Sequence, residues 1–136
     1  MAASTETRIA IESEADLVRA RQRGRELAGE MGFSPTDATL IATAISEVAR
    51  NILTYAGTGE IVLGPISENG QEGMVMIALD TGPGIQDIDE ALQEGFSTSG
   101  GLGIGLPGAR RLVDEFALLS EAGKGTRITC TVRKKG

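Results

Sequence analysis

Histidine is absent from this chain, and cysteine occurs once, at Cys130. Without histidine there is no phosphohistidine, so any phosphoryl group the chain transferred would end on another protein. A lone cysteine fits a reducing cytosolic compartment. Cys130 lies in an alternating run and reads as a buried strand residue, not as a reactive thiol. No apolar stretch approaches membrane-spanning length, and the N-terminus lacks the apolar core of a signal peptide. Internal repeats and heptads are missing too. Positive charge is in deficit: 13 Lys and Arg against 19 Asp and Glu leave a formal net charge of -6, which opposes nucleic acid as a partner. Neither common phosphate motif is present. There is no G-x-x-x-x-G-K-[ST], and the glycine triplet does not follow a strand as a dinucleotide fingerprint requires. At 136 residues the chain is expected to be one domain, 1–136, with one core and no room for a second module.

What is present centres on Asp80 to Leu106. The run Met74-Val75-Met76-Ile77-Ala78-Leu79 has the length of a buried strand, and it delivers Asp80 to a glycine turn, Thr81-Gly82-Pro83-Gly84. A second glycine turn, Gly100-Gly101-Leu102-Gly103-Ile104-Gly105, opens a predicted helix from Pro107 to Phe116. Leu106, Ala109, Leu112, Val113 and Phe116 are spaced for one face of it. Glycines at such places let backbone N–H groups approach phosphate oxygens without a Cβ in the way, and a helix N-terminus adds a favourable dipole. The chemistry suggested is nucleotide binding. Singly, each feature also reads as an ordinary turn or loop.

Order and spacing from a third element strengthen the reading. Ser34 as N-cap, Pro35 in the first turn and Asp37 in a capping-box-like place predict a helix to Tyr55. Leu40, Ile41, Ala44, Ile45, Val48 and Ile52 form its apolar stripe. Glu47 and Asn51, an i,i+4 pair, stand one turn apart beside that stripe, near Leu40 and Thr43. Glu47 can act as a base, and Asn51 offers a neutral oxygen to a hard cation such as Mg²⁺. The alternative is a solvated polar pair on a helix flank.

In chain order, Thr7, Ile9 and Ile11 alternate as a first strand. Ser13 to Met31 reads as a helix burying Ala15, Leu17, Val18, Leu27 and Ala28, with Gly24 available for close packing. Its arginines Arg19, Arg21, Arg23 and Arg25 suit a solvated face or an acidic partner. Gly59–Ile66 and Gly73–Asp80 read as strands joined by a hairpin at Asn69-Gly70. Gln86 to Ser99 carries Ile88, Ala91 and Leu92 among polar residues, a short amphipathic piece and then a mobile segment. Phe116–Ser120 and Thr126–Val132 close the chain as a hairpin turned at Ala122 to Gly125. The fold class predicted is α+β: a two-layer sandwich with a mixed, mostly antiparallel sheet of about five strands and helices on one face.

Together these segments resemble the GHKL superfamily of ATP-binding proteins. Glu47-Val48-Ala49-Arg50-Asn51 matches its N box, Asp80-Thr81-Gly82-Pro83-Gly84 its G1 box and Gly101 to Leu106 its G2 box. Gly125-Thr126 matches the last box. The runs Ala49 to Gly59, Gly95 to Gly101 and Leu106 to Phe116 are similar, within the anti-sigma kinase class, to the stressosome switch kinases. Anti-sigma kinases usually carry a His-Ala-Tyr-like run where this chain reads Thr54-Tyr55-Ala56.

The resemblance implies ATP and Mg²⁺ as cofactors. It gives Asp80 a hydrogen bond from the adenine amino group, Asn51 the Mg²⁺, and Thr126 a place beside the adenine. Gly82, Gly84, Gly101, Leu102, Gly103, Ile104 and Gly105 would surround the nucleotide, the G2 glycines through backbone donors. Gln86–Gly101 would be a lid, and Glu47 the base that deprotonates a serine or threonine of a bound protein. The implied substrate is a STAS-domain protein of RsbS/RsbR type, and the implied downstream partner a phosphatase of RsbU type. An anti-sigma kinase that sequesters a sigma factor is the alternative. A non-catalytic nucleotide-binding adaptor is a third reading, against which Glu47 speaks.

Overall fold

The structure is a computed structural model that describes residues 6–82, 105–121 and 123–135. Its elements are β1 (Thr7–Ile11), α1 (Glu14–Glu30), α2 (Pro35–Tyr55), β2 (Gly59–Glu68), β3 (Gln71–Asp80), α3 (Gly105–Leu112), β4 (Glu115–Glu121) and β5 (Gly125–Arg133). Both long helices start where a hydroxyl can satisfy an orphan N–H. Ser13 Oγ accepts from Asp16 N at 3.3 Å, and Ser34 Oγ from Asp37 N at 3.1 Å. Such a cap stabilises a helix by about 1 kcal/mol.

The strands form a five-stranded sheet in the order β1-β2-β3-β5-β4. Each neighbouring pair is antiparallel, where the sequence suggests a mixed sheet. The connections explain this. β2–β3 and β4–β5 are hairpins, the first turning at Asn69-Gly70 as predicted. Between β1 and β2 lie two helices, so the chain enters β2 running opposite to β1.

One face of the sheet carries the core. Ile9, Ile11, Ile61, Leu63, Met74, Met76, Ala78, Ile128, Cys130 and Val132 are buried there under Ile41, Ile45, Val48 and Ile52 of α2. On the other face Val75, Ile77 and Leu79 are half-buried, so the apolar run of β3 is fully covered on one side only. α1 lies on α2 through Leu17, Ala20, Gly24 and Ala28; Ala15 is exposed and Val18 and Leu27 are half-buried. A Cβ on Gly24 would come within 2.1 Å of Ile45 Cδ1, so the helices approach through that gap. Of the α1 arginines, Arg19 pairs with Asp16 and Arg23 with Glu26.

The spacing predicts a helix from Pro107 to Phe116, but α3 spans Gly105–Leu112. Asp114 ends it: its N–H donates to Thr131 O at 2.9 Å, and its Oδ2 accepts from Arg133 N at 2.6 Å. These bonds commit the chain to β5 before another helical turn can form. Phe116 therefore meets the core from β4, opposite Cys130.

Candidate active site

α2 brings two polar side chains into the interior. Its middle is covered by α1, the sheet and α3, and residues 44–49 are all buried. Glu47 is 9% exposed and Asn51 4%, so the pair is not a solvated helix flank. Helical periodicity places both beside the apolar stripe; α3, packed on α2, closes that rim. Glu47 Oε1 accepts a hydrogen bond from Gly105 N at 2.9 Å, which joins the helix to the first residue of α3. Asn51, one turn further along, has both Nδ2 and Oδ1 buried without a hydrogen-bond partner. An unpaired buried amide is costly, about 1–3 kcal/mol. Its retention marks a group that a ligand can satisfy.

The C-terminal turn of α2 lies against the end of β3. Asp80 Oδ1 accepts from Gly82 N at 3.0 Å, and a Cβ on Gly82 would come within 2.5 Å of Ala56 Cβ. Gly82 therefore lets the turn after Asp80 press onto α2. Opposite Asp80 in the sheet register stands Thr126, 5% exposed, and beyond it Ser120. Gly125 has φ +116°, and a Cβ there would meet the Asp80 carbonyl oxygen at 2.1 Å. A side chain is excluded on both counts.

The last hairpin keeps the predicted strands Phe116–Ser120 and Thr126–Val132; each runs one residue further into the turn, so Gly125 pairs with Glu121 next to the Ser120–Thr126 pair. Ser120 Oγ lies 2.9 Å from Thr126 Oγ1 and donates to Gly125 O at 3.3 Å. Sequence reasoning missed Ser120. Its alternation with Leu118 marks it as core-facing, and its place at the end of a predicted strand, across the turn from Thr126, was the signal that could have found it.

Of the predicted site residues, Glu47, Asn51, Asp80, Gly82, Gly105 and Thr126 are described, and they line up along α2, the start of α3 and the ends of β3 and β5. Gly84, Gly101, Leu102, Gly103 and Ile104 lie outside the described residues, as does the proposed lid, 86–101. A concavity of about 490 Å³ opens at the same sheet end and is lined in part by Asp80, Ser120 and Thr126. Leu79, Leu119 and Arg127 in its wall belong to the outer face, so it does not coincide with the α2–α3 side that holds Glu47. Among the described residues no group of three or more His, Cys, Asp or Glu could hold a metal ion.

A two-layer α+β sandwich with a buried Glu–Asn pair on α2 and an Asp–Thr pair at one end of its sheet defines a class, and comparison with known proteins agrees. The family of histidine kinase-, DNA gyrase B-, and HSP90-like ATPases matches residues 36–136, and the chain belongs to it. It is 54% identical over 120 residues to the serine/threonine-protein kinase RsbT of Bacillus subtilis (strain 168), across 88% of this chain and 90% of the relative. The crystal structure of the RsbU and RsbW domains of Rv1364c from Mycobacterium tuberculosis shares the fold, with a TM-score of 0.62 at 22% identity. That likeness covers 99% of this chain and 34% of the other, so the chain spans about a third of that protein's length.

Proposed function

We propose that the chain is an ATP-dependent kinase of a partner-switching stress pathway that phosphorylates a serine or threonine on a STAS-domain protein. The chain is a protein serine/threonine kinase, a reading supported by its 54% identity to RsbT. The observation that carries the mechanism is the buried pair on α2: a carboxylate tied to α3, and one turn away an amide with no partner.

Asp80 would accept from the adenine amino group, with Thr126 beside it. The Asn51 oxygen fits Mg²⁺, which typically takes one or two protein ligands and completes its shell with phosphates and water. When bound, Mg²⁺ would neutralise charge on the phosphates. Glu47 is the base for the acceptor hydroxyl. Its Oε1 is oriented by Gly105 N–H, which holds the carboxylate in place while the second oxygen takes the proton. Positioning and charge neutralisation supply most of such a transfer, and the base adds about 10²–10⁴-fold.

A new phosphate carries roughly −1.5 to −2 charge. On the partner it would repel a chain whose own net charge is -6 and free it for a downstream effector of RsbU-phosphatase type. Among the described residues no helix is long and apolar enough to cross a membrane. We place this kinase in the cytoplasm, where ATP and its partner are available.

The test is to incubate the chain with Mg-ATP and a STAS-domain protein and map the phosphate by mass spectrometry. Glu47→Gln preserves shape and the Gly105 bond, so ATP affinity should survive while transfer falls by about 10²–10⁴-fold. Wild-type transfer rates in that variant would remove Glu47 from the base role. Absence of phosphate on any STAS partner would remove the substrate class.

A further inference from the structure

We infer that Ser120 sets the base preference of the nucleotide site by fixing the direction in which the Thr126 hydroxyl points its proton. The inference rests on the nucleotide reading above and concerns a residue outside the family boxes. Asp80, Thr126 and Ser120 form one row across β3, β5 and β4. Ser120 Oγ and Thr126 Oγ1 are 2.9 Å apart, and by distance alone either could donate. A second contact gives the direction we adopt: the Gly125 carbonyl, which can only accept, lies 3.3 Å from Ser120 Oγ and takes its proton. A hydroxyl has one proton and two lone pairs. With the Ser120 proton on Gly125 O, the proton in the 2.9 Å contact comes from Thr126.

The relay therefore runs from Thr126 to Ser120 to the Gly125 carbonyl. It is anchored at its end, because Gly125 is wedged against the Asp80 backbone. It is also sheltered, because Thr126 is 5% exposed. The Thr126 oxygen has its proton committed and presents lone pairs. The Asp80 carboxylate in the same row is an acceptor as well. Two acceptors side by side match a base edge that carries an amino group, as adenine does. They oppose a carbonyl at that place, as in hypoxanthine or guanine. A site built on donor–acceptor matching rejects the mismatched base because its polar groups are then left unpaired. Ser120 is thus a positioning residue that acts through Thr126.

The experiment measures affinities for Mg-ATP and Mg-ITP by calorimetry on the full chain. Wild type should prefer ATP. In Ser120→Ala the Thr126 proton is released and can turn to the inosine carbonyl, so the ATP-to-ITP ratio should fall by about tenfold. Ser120→Thr keeps the hydroxyl and should keep the ratio. In a Thr126→Val background, Ser120→Ala should leave the ratio where Thr126→Val alone puts it. Simple destabilisation of the hairpin would lower both affinities together, so the ratio separates the two roles. If Ser120→Ala does not fold, Ser120→Cys replaces it with the same expected direction. An unchanged ratio, or an equal change in the Thr126→Val background, overturns the role of Ser120 alone. A wild-type chain that bound neither nucleotide would instead fail the nucleotide reading, and this inference with it.

Discussion

Replacing Asn51 with Ala should make the nucleotide-free protein more stable and remove its response to Mg-ATP. Asn51 is 4% exposed, and neither Nδ2 nor Oδ1 has a hydrogen-bond partner. Leaving such a group unpaired costs about 1–3 kcal/mol. Alanine is also the better helix former, by up to about 0.7 kcal/mol. The opposing term is lost packing. Truncating Leu to Ala costs about 2–5 kcal/mol, and the smaller Asn side chain forfeits less, about 1 kcal/mol. The balance favours the variant by about 1–2 kcal/mol. For 136 residues, with about 2.1 cal/mol/K of unfolding entropy per residue, that raises Tm by about 3–7 °C. Mg-ATP at a hundredfold excess over its Kd would stabilise the wild type by about 2.7 kcal/mol. The order of the two melting temperatures should therefore reverse when Mg-ATP is added. With no tryptophan in the chain, circular dichroism is the suitable probe of the melt. A nucleotide-free Asn51→Ala protein that melts below wild type would show that the amide is paired in solution. One that still gains stability from Mg-ATP would remove Asn51 from the metal-holding role.

Gly125→Ala should lower stability by about 2 kcal/mol or more, from left-handed strain together with overpacking on the Asp80 carbonyl. Urea denaturation reads this directly, and a midpoint equal to wild type would mean that the hairpin tolerates a different register. Burial pushes the Cys130 thiol from 9.0 to about 12, so between those values the unfolded chain releases a proton that the folded one keeps. The Cys130 contribution is therefore unaffected well below the unfolded pKa and costs stability as pH rises above it, by up to about 1.4 kcal/mol per pH unit until the folded thiol titrates. Urea midpoints at about pH 8 and about pH 10 should differ more for wild type than for Cys130→Ala; equal differences would refute the burial argument.

Features that depend on neighbours along the chain are legible in the sequence. Ser13 and Ser34 cap the helices they precede, because an N-cap needs only a hydroxyl and the N–H groups of the next turn. Asn69-Gly70 turns the hairpin, and the alternation of Ile128, Cys130 and Val132 marks the buried face, because strand periodicity is local. Glu47 and Asn51 are legible as a pair on one helix side for the same reason. Their burial is not, since helical spacing says nothing of what covers a face, and it is α3, more than fifty residues later, that reaches Glu47 through Gly105. Asp114 reads equally well as the next residue of a helix until Thr131 and Arg133 of β5 claim it. Ser120 and Thr126 flank the last turn in the sequence, but only the pairing of β5 with β3 brings Asp80, distant in sequence, into the same row. Local periodicity decides the backbone of each element. Which polar groups are buried, paired or left for a ligand is decided by packing between elements, and no single segment carries that information.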